Sequence, residues 1–210
     1  MTKTIVKKIP DKLLKEWNNH IKWLKSTCIE KEDPLNRDAR IRASLDDYQF
    51  FVKTYFHHYV TYNDVFIPNS LFHNDIAYKM DEDGNLFIGA KWSRGFGKSS
   101  HCSLFIPIWL MLKKKTKHIL IISKNFETAQ NLLSHIQGEL EYNQQLIKDF
   151  AFYSFKTVGD WSKSSLVING YQTAINCAGR GQDIRGIRYG STRPQTIIID
   201  DLDDSELVRN

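Results

Sequence analysis

The sequence has few cysteines, few prolines and no long apolar run. Its 210 residues include 3 Cys and 5 Pro. Cys28, Cys102 and Cys177 lie far apart without a C-x-x-C pair, which argues against zinc and disulfides and favours a reducing, intracellular setting. The longest apolar run, 104–112, is shorter than the about 18 residues of a membrane span, and the N-terminus lacks the apolar core of a secretory signal. These absences predict a soluble, non-secreted protein.

The rest of the composition is that of an ordinary globular chain. Hydrophobic residues make up 41 % and charged residues 25 %, which excludes collagen, low-complexity disorder and a membrane bundle. The length predicts one compact core with a smaller additional region. Lys and Arg number 29 against 24 Asp and Glu, and the net charge of +5 permits a polyanionic partner without requiring one.

The N-terminal part predicts a helical region. Apolar residues recur at three- and four-residue steps over Asp11–Ser26, as in an amphipathic helix that Asp11 caps. A second helical pattern covers Leu45–Tyr59, and Glu30–Asn36, which contains a proline, predicts the linker between the two. We therefore separate a helical N-terminal region, residues 1–60, from a core of residues 61–210.

From Leu86 onward, short apolar segments alternate with helical patterns. This alternation predicts an α/β fold with a mostly parallel sheet, to which a hairpin turning at Gly170-Tyr171 is added. Pro107 predicts a kink or a turn within the first of these helices. The strand candidates are Leu86–Trp92, His118–Ser123, Leu166–Asn169, Gln172–Cys177 and Thr196–Asp200, and the helix candidates are Ser99–Lys113 and Asn125–Glu141.

A glycine loop between the first strand candidate and the first helix candidate has the parts of a phosphate-binding loop. Its residues are Ser93, Arg94, Gly95, Phe96, Gly97, Lys98, Ser99 and Ser100. Glycine allows backbone N–H groups to turn inward, the lysine reaches β- and γ-phosphates, and the next hydroxyl binds Mg²⁺. Trp92 occupies the first glycine position of G-x-x-x-x-G-K-[ST], so the strict motif fails. The alternative is a simple glycine-rich turn.

Two carboxylates, Asp200 and Asp201, end the last strand candidate. Parallel α/β sheets bind ligands at the carboxyl ends of their strands, which is where the glycine loop is also expected. We predict that Asp200 holds Mg²⁺ through water beside the Ser99 hydroxyl, and that Asp201 orients or deprotonates the attacking water, with Glu206 in reserve. The alternative, which the same residues favour when they are considered alone, is a strand that ends in a solvent-exposed acidic turn.

An arginine-rich segment, Gly179–Pro194, precedes the acidic strand. Its glycine content excludes a helix and predicts a mobile or tightly turned loop. The guanidinium groups can clamp phosphates of a nucleotide or of DNA, although a solvent-facing basic loop without a partner is the simpler interpretation. The arginines are Arg180, Arg185, Arg188 and Arg193.

In combination, these motifs resemble the large terminase subunit of tailed bacteriophages, the ATPase motor that packs DNA into the prohead. Residues 93–100 resemble the deviant Walker A loop of that family, in which arginine replaces part of the glycine framework. His118–Ser123 and the helix pattern after it are similar to its second strand and helix. Residues 179–201 resemble the stretch that leads into its Walker B motif. The resemblance covers about residues 86–210.

The resemblance implies a P-loop NTPase fold of the additional-strand type, hydrolysis of ATP with Mg²⁺, and translocation of double-stranded DNA. It also implies a small terminase subunit and the portal of the prohead as partners, a homo-oligomeric ring and a location in the host cytoplasm. Lys98 and Ser99 become the phosphate and metal residues, Arg94 a cis arginine on the γ-phosphate, and Asp200 and Asp201 the Walker B pair. The family's adenine contact lies upstream of the loop, and Gln49 is the candidate for it.

The chain departs from the family in three respects. Asp201 stands where many relatives have a catalytic glutamate, the coupling motif of the next strand is missing, and no nuclease domain follows. We therefore expect a fragment, a truncated gene product or one piece of a split protein, with an incomplete sheet, without nuclease activity and with slight ATP turnover by itself. Two other functions remain open, namely another P-loop nucleic-acid translocase or helicase, and a non-catalytic module for DNA binding or assembly.

Overall fold

The α/β architecture predicted from the sequence is present in the computed structural model, which describes residues 11–27, 36–150 and 161–202. The helices are α1 (Asp11–Thr27), α2 (Arg37–Asp46), α3 (Tyr48–Tyr55), α4 (Leu71–Asp81), α5 (Lys98–Ser100), α6 (Ile106–Leu112), α7 (Phe126–Tyr142) and α8 (Gln144–Phe150). The strands are β1 (Thr61–Tyr62), β2 (Val65–Phe66), β3 (His118–Ser123), β4 (Ser165–Ile168), β5 (Thr173–Gly179) and β6 (Thr196–Ile199).

The main sheet is mixed and mostly parallel, with the strand order β4-β5-β3-β6. β3 pairs in parallel with both β5 and β6, whereas β4 pairs antiparallel with β5. Because β3 lies in the interior and is covered on both faces, its sequence is almost continuously apolar and its residues are buried. The parallel strands β3, β5 and β6 all end at one edge of the sheet, which we call the carboxyl edge.

Helices from both sides of residue 60 pack into one hydrophobic core. Phe51 and Tyr55 of α3 belong to the same buried cluster as Ile119 and Ile121 of β3. Trp109 of α6 is fully buried in it, and its indole N–H donates to the Ser44 carbonyl of α2 at 3.0 Å. The helical N-terminal region therefore contributes to the core that supports the sheet, and the division at residue 60 stays a prediction.

Most of the predicted elements are confirmed, but the helix predicted over Leu45–Tyr59 is wrong as a single element. The chain breaks at Asp47, whose extended backbone separates α2 from α3 and whose carboxylate accepts from the Phe50 N–H at 3.0 Å. Asp favours such N-cap positions because its side chain satisfies a free N–H of the first turn. A short 3₁₀ turn, His57–Tyr59, completes the stretch. Residues 30–35 of the predicted linker lie outside the described residues.

The strand predicted at Leu86–Trp92 is not formed. The segment 85–93 has no regular secondary structure, and the apolar side chains of Leu86, Phe87 and Ile88 are exposed. A strand requires a hydrogen-bonded neighbour. β6 is the edge strand of the sheet, and among the described residues it pairs only with β3, so the segment has no partner strand. The apolar composition of the segment favours a strand, but composition alone does not show whether a partner strand is present.

The helical run from Lys98 to Leu112 contains a π-helical turn, His101–Phe105, between α5 and α6. Pro107 is the second residue of α6, which begins directly after this turn. Proline lacks an N–H for the helical ladder, and both prolines and π-turns are sites at which helices become irregular. The helix predicted over Ser99–Lys113 therefore changes type before Pro107, and the kink at Pro107 stays a prediction.

A buried carboxylate, Asp149 of α8, joins three helices. Arg40 of α2 donates to both of its oxygens, at 2.7 and 2.6 Å, and the Tyr55 hydroxyl of α3 and Gln145 donate at 2.9 and 3.0 Å. Burial alone would raise the pKa of Asp149, but the hydrogen bonds from Arg40, Gln145 and Tyr55 outweigh it, so the pKa lies below its ordinary value. The carboxylate is therefore charged and fully paired.

We expect Arg40→Ala to lower the free energy of unfolding by about 3–5 kcal/mol, because it leaves a buried charge without its partner. The loss should be smaller at pH 5 than at pH 7.5, since the unpaired carboxyl of Asp149 would have a raised pKa and could become neutral. Urea unfolding at both pH values measures this. Lys79→Ala, which breaks the exposed pair Lys79–Asp75 on α4, is the control and should cost about 0.5 kcal/mol or less.

Candidate functional site

The glycine loop is a tight turn that only glycine fits at two positions. Gly95 has φ +87° and Gly97 has φ +68°, in the left-handed region that other residues rarely adopt. The Phe96 N–H donates to the Ser93 carbonyl at 3.3 Å, and the His101 N–H donates to the Gly97 carbonyl at 2.9 Å. The loop therefore turns directly into the helical run that begins at Lys98.

The structure brings Lys98 and Asp200 together at the carboxyl edge of the sheet. The Nζ atom of Lys98 lies 3.7 Å from Oδ1 of Asp200, and the Ser103 hydroxyl donates to Oδ2 at 3.1 Å. Asp200 is 5 % exposed, whereas Lys98 is 42 % exposed. A nearly buried carboxylate thus faces the helical run, and an ammonium that still reaches solvent lies next to it.

A cleft of about 250 Å³ begins at this pair and runs along β6. One wall is formed by residues 195–200, and the other by Leu86, Ile88 and Ala90 of the segment that was predicted as a strand. Cys102 also lines the cleft. Burial, with the charge of Asp200 as a smaller cause, raises the pKa of this thiol to about 11, so it is neutral near pH 7 and Asp200 provides the negative charge.

Asp201 points away from this pair. It has φ +52°, and its side chain is 64 % exposed, with Oδ2 lying 3.6 Å from Nζ of Lys124. The Lys124 N–H also donates to the Asp201 carbonyl at 3.1 Å. Successive residues at the end of a strand face opposite sides of the sheet, so Asp200 and Asp201 are directed to different neighbours. No ion pair joins the described residues Asp201 and Lys98.

The other predicted site residues are more scattered. Arg94 and Ser99 are exposed, and neither has a hydrogen bond or an ion pair to another described residue. Gln49 lies on α3, half-buried, without a hydrogen bond to the glycine loop. Glu206 lies outside the described residues.

The arginine-rich segment starts at the carboxyl edge. The Arg180 N–H donates to the Ser123 carbonyl at 2.8 Å, and a Cβ at Gly179 would lie 2.3 Å from the Phe126 nitrogen, so only glycine allows this approach of the two chains. The segment beyond it forms turns with an isolated bridge between Tyr189 and Thr192. All four arginines are exposed. Among the described residues, none of them has an ion-pair partner.

Sequence reasoning missed three polar residues around Asp200. Ser103 lies four residues after Ser99, a spacing that places both on one helix face. Lys124 and Ser123 end the central strand, and a hydroxyl or an ammonium at the carboxyl end of an apolar strand is the signal that could have found them. Ser123 continues the register in which Ile122 pairs with Ile199, so it lies beside Asp200. Its hydroxyl is buried and has no partner among the described residues.

These oxygens fit a magnesium ion that is shared with a substrate. Mg²⁺ is usually bound by one or two carboxylates together with water and phosphate oxygens, rather than by a cage of protein ligands. Asp200 provides one carboxylate, the Ser123 hydroxyl beside it provides an unpaired oxygen, and the exposed Ser99 hydroxyl follows Lys98 in the chain. In the described ranges, no group of three His, Cys, Asp or Glu residues could hold a metal ion without such a substrate.

No family model, no curated protein and no solved structure matches the chain. Within residues 11–27, 36–150 and 161–202, no helix has both the length and the apolar character of a membrane span. The function must therefore be argued from the residues of the carboxyl edge and from their geometry.

We expect Gly97→Ala to lower the free energy of unfolding by about 1–2 kcal/mol, because an L-residue resists this left-handed backbone. Its Cβ would also lie 3.3 Å from Cδ2 of His101. Gly89→Ala is the control, since a Cβ there meets nothing within 4 Å and should change the stability little. Equal urea midpoints for the two variants would contradict the loop geometry.

Proposed function

We propose that the chain binds and hydrolyses a nucleoside triphosphate, ATP, with Mg²⁺ at the glycine loop. The main support is the 3.7 Å approach of Lys98 to Asp200 at the carboxyl edge of a parallel sheet, directly after a loop with two left-handed glycines. This arrangement has parts of a P-loop site, namely a glycine turn that leads into a helical run, a lysine for phosphates and a carboxylate for the metal. We assign the fold to the additional-strand P-loop type on the same grounds.

Each residue of the edge has a role in this proposal. The Lys98 ammonium would neutralise the β- and γ-phosphate oxygens, and Ser99 together with Asp200, the latter through water, would hold the Mg²⁺. When bound, Mg²⁺ supplies charge stabilisation on the transferred phosphoryl group. The bond from Ser103 keeps the Asp200 carboxylate facing the phosphates before substrate arrives.

Two further roles rest on exposed or undescribed residues. Arg94 is exposed and unpaired within the described chain, so it can reach the γ-phosphate. Asp201 is the candidate to orient or deprotonate the attacking water, which requires that its carboxylate leave Lys124, and Glu206 is the reserve candidate.

For the biological setting, we propose the ATPase portion of a viral DNA-packaging motor, the large terminase, which moves double-stranded DNA into the prohead. The support is the resemblance of residues 93–100 and 179–201 to the Walker A and Walker B regions of that family. The four exposed arginines add cationic groups on the segment that leads from the carboxyl edge, at Arg180, back to the start of β6. In this setting the partners are the small terminase subunit and the portal, the full-length protein forms a ring, and the location is the host cytoplasm.

We expect Lys98→Ala to abolish Mg²⁺-dependent binding of a fluorescent ATP analogue and any ATP hydrolysis that double-stranded DNA stimulates. Asp200→Asn should lose the Mg²⁺ dependence of binding. Lys91→Ala is the control, because it removes the same charge from an exposed lysine of the preceding segment. Unchanged analogue binding in Lys98→Ala would refute the assignment of the site.

Translocation can be separated from helicase activity by the fate of a labelled duplex. A packaging motor moves the duplex intact, whereas a helicase, the alternative P-loop function, separates its strands in the presence of ATP. Strand separation by the wild-type chain would therefore favour the helicase over the packaging motor.

The exposed arginines also favour a second function, a non-catalytic module that binds DNA through its phosphates. Arg180, Arg185, Arg188 and Arg193 have no acidic partner among the described residues, and unpaired guanidinium groups bind backbone phosphates without regard to base sequence. If the wild-type chain binds duplex DNA but no ATP analogue, even with Mg²⁺ and DNA present, this function replaces the motor.

We expect Arg185→Ala/Arg188→Ala to weaken duplex binding and to reduce the slope of log affinity against log salt by about 1.8, since each phosphate contact contributes about 0.9. Fluorescence anisotropy at several salt concentrations measures the slope. Lys15→Ala/Lys22→Ala removes two exposed charges from α1 and is the control. Equal slopes for both double variants would exclude the arginine loop as the DNA contact.

A further inference from the structure

Two stacked imidazoles lie against the glycine loop. His73 of α4 and His101 of the π-helical turn have ring centroids 3.9 Å apart and planes 10° from parallel, and both side chains are buried. Burial lowers the pKa of each, and with the neighbouring imidazole as a smaller cause the pKa of His101 falls to about 3. Near pH 7 both rings are therefore neutral, so that each has one donor nitrogen and one acceptor nitrogen.

The contacts of His73 fix which of its nitrogens donates. The Ser70 N–H donates to Nδ1 of His73 at 3.0 Å, as part of the cap of α4. The ring proton is consequently on Nε2, which donates to the Phe96 carbonyl at 2.8 Å. His73 thus links the start of α4 to the backbone of the glycine loop.

This hydrogen bond determines how one peptide group of the loop is oriented. In a trans peptide the C=O and the N–H point in opposite directions, so the Gly97 N–H points away from His73 when the Phe96 carbonyl points toward it. A phosphate-binding loop requires N–H groups, not carbonyl oxygens, on the side of the anion. Glycine at position 97 offers little steric resistance to a flip of this peptide, so the resistance must come from a neighbour.

We propose that His73 is a positioning residue for the glycine loop, which holds the Phe96–Gly97 peptide with its N–H side available to the phosphates of the nucleotide. This inference rests on the proposed function. His101 supports the ring of His73 by stacking on it, and its Nδ1 is hydrogen-bonded to the Tyr48 hydroxyl of α3 at 2.9 Å. The helical N-terminal region is thereby connected to the loop through two imidazoles.

Two substitutions at His73 separate its two hydrogen bonds. In His73→Asn the side-chain oxygen can still accept from Ser70, so α4 stays capped, but no donor reaches Phe96. His73→Gln places an N–H at about the distance of Nε2 and can restore the bond to the loop. His118→Ala is the control for the loss of a buried imidazole, because His118 bonds Asn176 and Thr192 at the opposite end of β3.

Three quantities are measured on the whole chain: the affinity for the fluorescent ATP analogue with Mg²⁺, the rate of tryptic cleavage after Arg94 without nucleotide, and the thermal midpoint. We expect His73→Asn to weaken the affinity about tenfold, the factor that corresponds to one buried hydrogen bond, and to accelerate cleavage. His73→Gln should restore most of both, and His118→Ala should lower the midpoint while changing neither.

Wild-type affinity and cleavage in His73→Asn would overturn the positioning role, and so would an equal effect of His118→Ala on both. The nucleotide-free cleavage distinguishes this outcome from a failure of the proposed function. If the wild-type chain binds no nucleotide, faster cleavage in His73→Asn that His73→Gln reverses supports His73 as the residue that orders the loop, whereas equal cleavage in all variants refutes it.

Discussion

The buried carboxylate of Asp200 is the constraint on which the site depends. It ends β6, accepts a hydrogen bond from Ser103 and lies 3.7 Å from the ammonium of Lys98. A carboxylate that is 5 % exposed requires such partners, because its desolvation is otherwise costly. The helical run and the end of β6 are therefore held together by charge and hydrogen bonding as well as by apolar packing, and any ligand of Lys98 lies next to the end of the sheet.

The helical N-terminal part contributes to this edge without reaching it directly. Its aromatic residues fill the core beneath the helical run, and the Asp149 network joins α2 and α3 to α8. Tyr48 then contacts His101, one turn from the glycine loop. Helices from the N-terminal region therefore pack against the elements that carry the glycine loop. This packing accounts for the many buried aromatic side chains of that region.

The strands and helices that have a clear local apolar pattern were predicted well from the sequence. β3, β5, β6 and α7 are found within one or two residues of their predicted bounds, since continuous apolar runs and helical periodicity report burial directly. The segment at Leu86 failed because its composition favours a strand while its partner cannot be read from the chain. Asp200 could be placed at the carboxyl edge in advance, because parallel strands end at one edge. Lys98 reaches that edge through the helical run, since the strand predicted before the glycine loop is not formed. Ser103 and Lys124 carried local signals that could have found them, whereas the contact of His73 with the glycine loop could not be predicted, since it joins elements that are distant in the chain.

The π-helical turn between α5 and α6 has a consequence for the evolution of this segment. A π-turn holds one residue more than an α-turn, and one residue corresponds to a rotation of about 100° around the helix axis. Shortening His101–Phe105 by a single residue would restore an unbroken α-helix but would swing the ammonium of Lys98 a quarter of the way round, away from β6. The length of this stretch is therefore as constrained as the side chains that it buries, so that an insertion or a deletion cannot be tolerated here.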